Sequence, residues 1–156
     1  MTARSAGLLL HRHREGRPEV LLVHPGGPFW ASRDAGAWSI PKGEFGEGEP
    51  PLDAARREFT EELGSSPPIG GEQDLGSIRQ RGGKEVVAWA LEGDLDVTTV
   101  RSGTFEMEWP PRSGRTESFP EVDRAAWFDL TTARTKVNPA QAELIDRLEV
   151  VLASSG

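Results

Sequence analysis

The pattern of apolar and polar residues along the chain predicts strands interrupted by helices. Short apolar runs bounded by turn residues are typical of strands. They lie at Ser5 to His13, Glu19 to His24, Trp38 to Pro41, Leu75 to Arg81, Glu85 to Leu91, Gly103 to Glu108 and Ala125 to Asp129. Gly16 and Pro18 separate the first two runs, and Gly82 and Gly83 separate the fourth and fifth. Each of these pairs is therefore expected to be joined by a hairpin-like turn.

Two segments have the pattern of an amphipathic helix. The first carries an apolar stripe at helical spacing, formed by Leu52, Ala55, Phe59 and Leu63. Pro50 and Pro51 suit its start and Gly64 suits its end, because proline is tolerated in the first turn and glycine adopts the left-handed conformation freely. The second helix is expected to begin with Asn138 as its cap and Pro139 at its first position.

Hairpins combined with a helical crossover predict an α/β fold in which a mixed sheet lies between helical layers. The chain has 156 residues, which is most simply one domain, residues 1–156, with a hydrophobic core of its own. Its 36% hydrophobic and 28% charged residues are ordinary for a soluble protein.

Two loops contain residues that could bind a ligand. The glycine- and proline-rich loop from residue 24 to residue 38 carries aromatic rings, among them Trp30. Those rings could stack a nucleobase or fill the core, and the sequence leaves both readings open. The segment from Pro110 to Pro120 has the composition of a mobile loop. Its Arg112 and Arg115 could reach phosphates or could simply be solvated.

The composition excludes several classes of protein. Cysteine is absent, so disulfide scaffolds and thiolate metal sites are ruled out. The apolar run from Ala6 to Leu10 is too short to cross a membrane and lacks a signal cleavage site, so we expect a cytoplasmic protein without a membrane partner. A net charge of -7 argues against duplex nucleic acid, which requires a basic surface. It permits a small phosphorylated ligand whose charge is balanced by a metal ion.

The acidic residues concentrate between Gly43 and Ser65, where seven acids face two bases. Glu58, Glu61 and Glu62 stand at helical spacing and share one face, where like charges repel by about a few tenths of a kcal/mol per pair. A hard divalent cation such as Mg²⁺ would reverse that repulsion, because it prefers carboxylate oxygens together with substrate phosphates. A plain solvated acidic face is the alternative. Arg57 precedes Glu61 by four residues and can hold its carboxylate.

The spacing of the whole stretch is specific. It reads Gly43, five residues, Glu49, seven residues, and then Arg57-Glu58-Phe59-Thr60-Glu61-Glu62-Leu63-Gly64. This resembles the Nudix box of the Nudix hydrolases, MutT-like nucleoside triphosphate pyrophosphohydrolases among them. The one departure is Ser65, where the family usually has an aliphatic residue, and it bears on packing after the helix rather than on metal binding. The resemblance implies the Nudix α/β/α sandwich over nearly the whole chain.

The resemblance also implies roles for the residues of the box. Glu58 and Glu62 would be the main ligands of Mg²⁺, for which Mn²⁺ could substitute. Glu61 would be a ligand or the catalytic base, and the Gly43 carbonyl would be a further ligand. Arg57 would orient a glutamate.

Two candidate site residues lie outside the helix. Many Nudix enzymes have an additional acidic residue about six positions before a tryptophan-containing strand, and Glu121 stands six before Trp127. Glu121 would be a ligand at a second metal site or the general base, or it is an ordinary loop glutamate. Lys42 adjoins the box and is a candidate phosphate contact, because its ammonium is a compact charge.

The function that the resemblance implies is metal-dependent hydrolysis of a diphosphate linkage in a nucleoside diphosphate linked to a further group. The lead-in from Trp38 to Gly43, WSIPKG, is similar to that of enzymes acting on dinucleoside polyphosphates and diphosphoinositol phosphates, although Glu44 stands where those enzymes usually have histidine. We therefore expect a (d)NTP or dinucleoside polyphosphate as substrate. The alternatives are a sensor that binds a nucleotide or ADP-ribose without hydrolysis, and a calcium-binding or interaction module. The sequence does not report the oligomeric state.

Overall fold

The computed structural model of the protein describes residues 3–155. Its strands are β1 (Arg4–Arg14), β2 (Arg17–Pro25), β3 (Lys42–Glu44), β4 (Gln73–Arg79), β5 (Glu85–Glu92), β6 (Thr104–Glu108), β7 (Thr116–Pro120) and β8 (Val122–Asp129). Its helices are α1 (Pro51–Leu63), α2 (Leu130–Lys136) and α3 (Ala142–Ser155). Within the described residues, no helix is both long enough and apolar enough to cross a membrane.

Six strands form a mixed sheet in the order β4-β5-β1-β2-β8, and β3 pairs with the beginning of β1. The β1–β5 pair is parallel and the other neighbouring pairs are antiparallel. β1 lies inside the sheet, and residues 5–11 are buried. This explains its nearly continuous apolar sequence, because a strand that is covered on both faces has no solvent side. The predicted mixed sheet is confirmed.

Helices cover both faces of the sheet. Because side chains alternate along a strand, Leu8 and Leu10 of β1 point to one face and Leu9 points to the other. The first face packs against α1 through the buried residues Ala54, Ala55, Phe59 and Leu63. The second packs against α2 and α3 through the buried residues Leu130, Ala133, Leu144, Ile145 and Leu148. The predicted α/β/α sandwich is confirmed.

The ends of α1 follow the local sequence. Proline occupies the start of the helix, and Gly64 ends it in the left-handed conformation with φ of 79°. The Gly64 N–H donates to the carbonyl of Thr60 at 2.8 Å. A Cβ on Gly64 would lie 2.5 Å from the carbonyl oxygen of Arg101, so glycine is required by close approach as well as by backbone conformation.

The structure corrects the predicted loop from Pro110 to Pro120. Its second half is β7, which pairs with β6 in a separate two-stranded ribbon, with Phe105 opposite Phe119. The sequence of β7, TESFP, is mostly exposed. Its strand structure depends on pairing with β6 rather than on a hydrophobic pattern, so the pattern could not reveal it.

Three further boundaries differ from the prediction. The segment 38–41, predicted as a strand, makes only isolated bridges. The strand of this region is β3, which begins after it at Lys42. The helix α2 was not predicted, because its sequence LTTARTK is short and rich in β-branched threonine; Asp129 caps it by accepting from the Thr132 N–H. Asn138 caps a single 3₁₀-helical turn, Pro139–Gln141, and the final α-helix begins only at Ala142.

Candidate active site

The predicted site residues meet where β3 approaches α1. Lys42 and Gly43 lie on β3, which is held against the beginning of β1. A Cβ added to Gly43 would lie 2.0 Å from the carboxyl carbon of Glu58. Glycine at this position therefore lets the Glu58 carboxylate rest directly against the backbone of β3.

Glu62 follows Glu58 by one helical turn and is half-buried. Its Oε1 accepts a hydrogen bond from the backbone N–H of Lys42 at 3.2 Å. Burial raises the pKa of Glu62 to about 8, and the charges of Glu58 and Glu121 add to that rise, whereas the Lys42 N–H and ammonium oppose it. The hydrogen bond and the charge of Lys42 therefore offset only part of the cost of burying a negative charge on Glu62, and a bound cation would stabilise the ionised carboxylate.

The same environment perturbs its neighbours. Burial raises the pKa of Glu58, whose side chain is only 12% exposed, although its hydrogen bond from Arg57 acts in the opposite direction. Burial also lowers the pKa of Lys42, and the charge of Lys84 contributes, in spite of the carboxylates around it. Perturbed carboxyl and ammonium groups in one place are typical of functional sites.

Arg57 organises the outer edge of this cluster. Its guanidinium binds Glu49 through two hydrogen bonds, Nε to Oε2 at 2.8 Å and Nη2 to Oε1 at 3.0 Å. Hydrogen bonding to the Arg57 side chain is the main reason that the pKa of Glu49 is lowered. Nη1 donates to Glu58 at 2.7 Å and to the two Glu61 oxygens at 3.2 and 3.3 Å. The predicted contact between Arg57 and Glu61 is present, and Glu49 and Glu58 share the same guanidinium.

Glu121 reaches the cluster through the fold. It lies between β7 and β8, where its N–H donates to the Gly103 carbonyl at 2.9 Å and its own carbonyl accepts from the Gly26 N–H at 3.0 Å. Gly103 in turn donates to the carbonyl of Glu61 at 3.2 Å. A cavity of about 140 Å³ opens at this point, lined by Val23, Pro25, Ser39, Lys42, Glu62 and Glu121. The structure therefore brings Glu121 beside Glu62 and Lys42.

The donor set fits a hard divalent cation, because it consists of carboxylate oxygens. As the side chains stand, no three Asp, Glu, His or Cys residues in the range 3–155 form a ready set of metal ligands. Glu58 and Glu61 are instead turned toward Arg57. A metal ion would have to draw these carboxylates from the guanidinium, whereas Glu62 and Glu121 already face one cavity.

The aromatic rings of the loop after β2 divide between surface and core. Trp30 is 39% exposed, with the Arg33 guanidinium 5.6 Å from its ring centre. Phe29 is 62% exposed and meets Trp109 edge to face, with 5.8 Å between ring centroids. Trp38, by contrast, is buried in the core at 4% exposure. Of the two readings, core filling therefore applies to Trp38, while Trp30 remains accessible to a ligand.

The turn between β6 and β7 carries Arg112 and Arg115, both exposed. The Arg112 N–H donates to Glu108 Oε1 at 3.2 Å, which shapes the turn. A Cβ on Gly27 would lie 2.9 Å from the Phe105 ring, so the β6–β7 ribbon packs directly against the loop of Trp30. Within residues 3–155, no hydrogen bond or ion pair joins either guanidinium to the carboxylate cluster. Their contact with phosphates stays a prediction.

The NUDIX domain family model matches residues 1–148. The chain belongs to the Nudix family. With all the glutamates of its Nudix box present, it is a pyrophosphohydrolase that acts on phosphorus-containing acid anhydrides. Nudix hydrolases generally use divalent metal ions.

Several solved structures share the Nudix fold. An Ap4A hydrolase from C. elegans in a binary complex has a TM-score of 0.68 and 22% identity, covering 96% of this chain and 98% of that one. The NUDIX domain of NrtR from Shewanella oneidensis, complexed with ADP ribose, has a TM-score of 0.67 and 16% identity, covering 97% and 89%. A MutT protein from Methanosarcina mazei Go1 has a TM-score of 0.63 and 19% identity, covering 97% and 95%. Among curated proteins, none matches this chain significantly.

The sequence did not predict two contacts of this Nudix site. The pairing of Glu49 with Arg57 could have been predicted, because both residues occupy fixed positions of the Nudix box. The contact between Phe29 and Trp109 could not have been predicted, because it depends on the β6–β7 ribbon packing on a loop that is distant in the sequence. Residue spacing within one helix can be deduced from a sequence, whereas contacts between distant segments cannot.

Proposed function

We propose that this Nudix hydrolase requires Mg²⁺, with Mn²⁺ as a possible substitute, and cleaves a diphosphate linkage in a (d)NTP or a dinucleoside polyphosphate. One observation carries the proposal: Glu58 rests against Gly43, and Glu62 shares a cavity with Glu121 and Lys42. Carboxylates that converge beside a lysine suit a metal-bound phosphate, because the carboxylates can bind the metal ion and the ammonium can contact the phosphate.

The roles follow from these positions. Glu58, Glu62 and the Gly43 carbonyl would hold the cation, and Glu61 and Glu121 would complete its ligands. When bound, such an ion neutralises phosphate oxygens and lowers the pKa of a coordinated water. Lys42 contributes a second positive charge at the cavity, where it would contact a phosphate oxygen.

Glu61 and Glu121 are both candidates for the general base. The positions of the two carboxylates support Glu121. It faces the same cavity as Glu62 and Lys42, where a water nucleophile would be placed. The Glu61 carboxylate, by contrast, is held by Arg57. We therefore propose Glu121 as the base, Glu61 as an auxiliary metal ligand, and Arg57 as the residue that positions Glu58 and Glu61.

The nucleoside end of the substrate would lie on the aromatic surface formed by Phe29, Trp30 and Trp109. Accessible rings next to a phosphate site offer flat faces on which a base can stack. The loop that carries Phe29 and Trp30 begins at Pro25, which lines the cavity of Glu121. Arg112 and Arg115, on the adjoining ribbon, would contact the outer phosphates of a longer polyphosphate chain.

A second candidate function is nucleotide binding without hydrolysis. The fold neighbour from Shewanella oneidensis holds ADP ribose, which shows that a NUDIX domain can retain such a ligand. The intact Nudix box supports hydrolysis instead, because every acidic position of the box is occupied by glutamate.

The decisive experiment measures phosphate or pyrophosphate release with Mg²⁺ from a panel of substrates. It includes (d)NTPs, dinucleoside polyphosphates, ADP-ribose, NADH, nucleotide sugars and diphosphoinositol phosphates. We expect one nucleotide class to stand out, with kcat/KM at or above ~10⁴ M⁻¹s⁻¹. The Glu62→Gln variant provides the control and should be folded but inactive. Tight binding without turnover across the panel would contradict the proposed hydrolysis and support the nucleotide-binding sensor instead.

A further inference from the structure

His24 is a fully buried histidine that the catalytic cluster does not use. It lies near the end of β2, and its side chain is 0% exposed. Its Nδ1 lies 2.9 Å from Oδ1 of Asp123, and its Nε2 lies 2.7 Å from the carbonyl oxygen of Arg33. The ring also meets Trp38 edge to face at 5.2 Å. One imidazole therefore joins β2, the start of β8 and the loop that carries Trp30.

Both ring nitrogens of His24 face oxygen atoms of other segments. Nδ1 faces the Asp123 carboxylate and Nε2 faces the Arg33 carbonyl. Asp123 is 34% exposed and lies 3.9 Å from the Arg124 guanidinium. The buried ring therefore ties both segments to the end of β2.

Asp123 also occupies an irregular point of the sheet. In the pairing of β2 with β8, His24 is opposite Arg124 and Pro25 is opposite Val122. Asp123 is therefore the extra residue of a β-bulge. A bulge changes the direction of the side chains beside it, and bulges are common next to active sites.

The position of this bulge determines where Glu121 points. A shift of pairing by one residue turns every side chain to the opposite face of a strand. Glu121 precedes the bulge by two positions and is held there by the Gly26 N–H at 3.0 Å. If the bulge moved by one residue, the carboxylate would turn away from the cavity that it shares with Glu62.

We propose that His24 and Asp123 are a positioning pair that fixes this bulge and thereby aims Glu121 at the site. Its bond to Arg33 fixes the loop of Trp30 in the same way. The part that concerns activity rests on the function proposed above. The part that concerns the fixed bulge does not, so it can be tested in a protein without measurable turnover.

The test compares two variants of Asp123. In Asp123→Asn the side-chain amide can still hydrogen-bond to Nδ1, so this variant keeps the contact and removes the charge. Asp123→Ala removes the bond. We expect kcat/KM within about threefold of wild type for the first variant and a loss of about tenfold for the second. The amide of Gly26 should exchange faster with solvent in Asp123→Ala only. Asp146→Ala, which removes an exposed ion pair with Arg134, serves as the control and should change nothing.

A double-mutant cycle separates positioning from general destabilisation. If Asp123 acts through Glu121, then Asp123→Ala should cost little additional activity in a Glu121→Gln background. Fully additive losses would contradict the proposal, as would wild-type Gly26 exchange in Asp123→Ala. If the wild-type protein hydrolyses nothing, the Gly26 exchange rates still decide the positioning role, while the proposed function fails separately.

Discussion

Replacement of Gly43 by alanine should damage the metal site without unfolding the protein. The new Cβ would lie 2.0 Å from Cδ, 2.1 Å from Oε2 and 2.4 Å from Oε1 of Glu58, whereas ordinary contacts begin near 3.4 Å. The Glu58 carboxylate would therefore have to move by more than 1 Å. It is the end of a flexible side chain, so the fold can accommodate the change at a cost of about 1–3 kcal/mol.

The effect on catalysis should be much larger than the effect on stability. A displacement of about 1 Å in a catalytic group can reduce the rate about 100-fold. We expect Gly43→Ala to lose about that factor in kcat/KM and to require more Mg²⁺ for half-maximal activity. The assay is hydrolysis of the best panel substrate at graded Mg²⁺, combined with thermal unfolding of each protein.

Gly46 supplies a matched control within the same box. A Cβ added there meets nothing within 4 Å, and its φ is not in the left-handed region. Gly46→Ala should therefore retain activity within about threefold, because alanine fits this backbone without strain. Wild-type activity and Mg²⁺ dependence in Gly43→Ala would refute the reasoning, since they would show that Glu58 is not needed at its present position.

Three further predictions concern charged residues of the site. The pKa of Glu62 is about 8 in the folded protein, against 4.5 for an ordinary glutamate. Between these pH values the folded state keeps a proton that the unfolded state has lost, so in metal-free buffer the free energy of unfolding should fall as pH rises. The stability advantage of Glu62→Gln in urea titrations should thus grow between pH 5 and pH 8.5, by roughly 1–4 kcal/mol, and a constant difference would contradict the burial argument. Arg57→Lys cannot form the paired bonds to Glu49, so steady-state kinetics should show at least about a tenfold loss of kcat/KM in a folded protein, and full activity would refute the positioning role. Joint replacement of Arg112 and Arg115 by alanine should raise KM more than it lowers kcat, and unchanged kinetics would make them solvated charges.

The amino-acid sequence alone determined the features that depend on neighbours along the chain. Prolines at the start of α1 and Gly64 at its end defined that helix almost to the residue, because capping is a local requirement. The face shared by Glu58, Glu61 and Glu62 followed from helical geometry, and so did the contact between Arg57 and Glu61. Hydrophobic runs located the central strands for the same reason.

Only the tertiary structure decided which distant segments meet. β7 is a strand because β6 pairs with it, and α2 forms because Leu130 and Ala133 are buried against the sheet. Glu121 faces Glu62 because a bulge at Asp123 sets its direction. Such features depend on the pairing register and packing of segments that are remote in the sequence. Local propensity carries no information about that register, so the sequence could name Glu121 as a candidate but could not orient it.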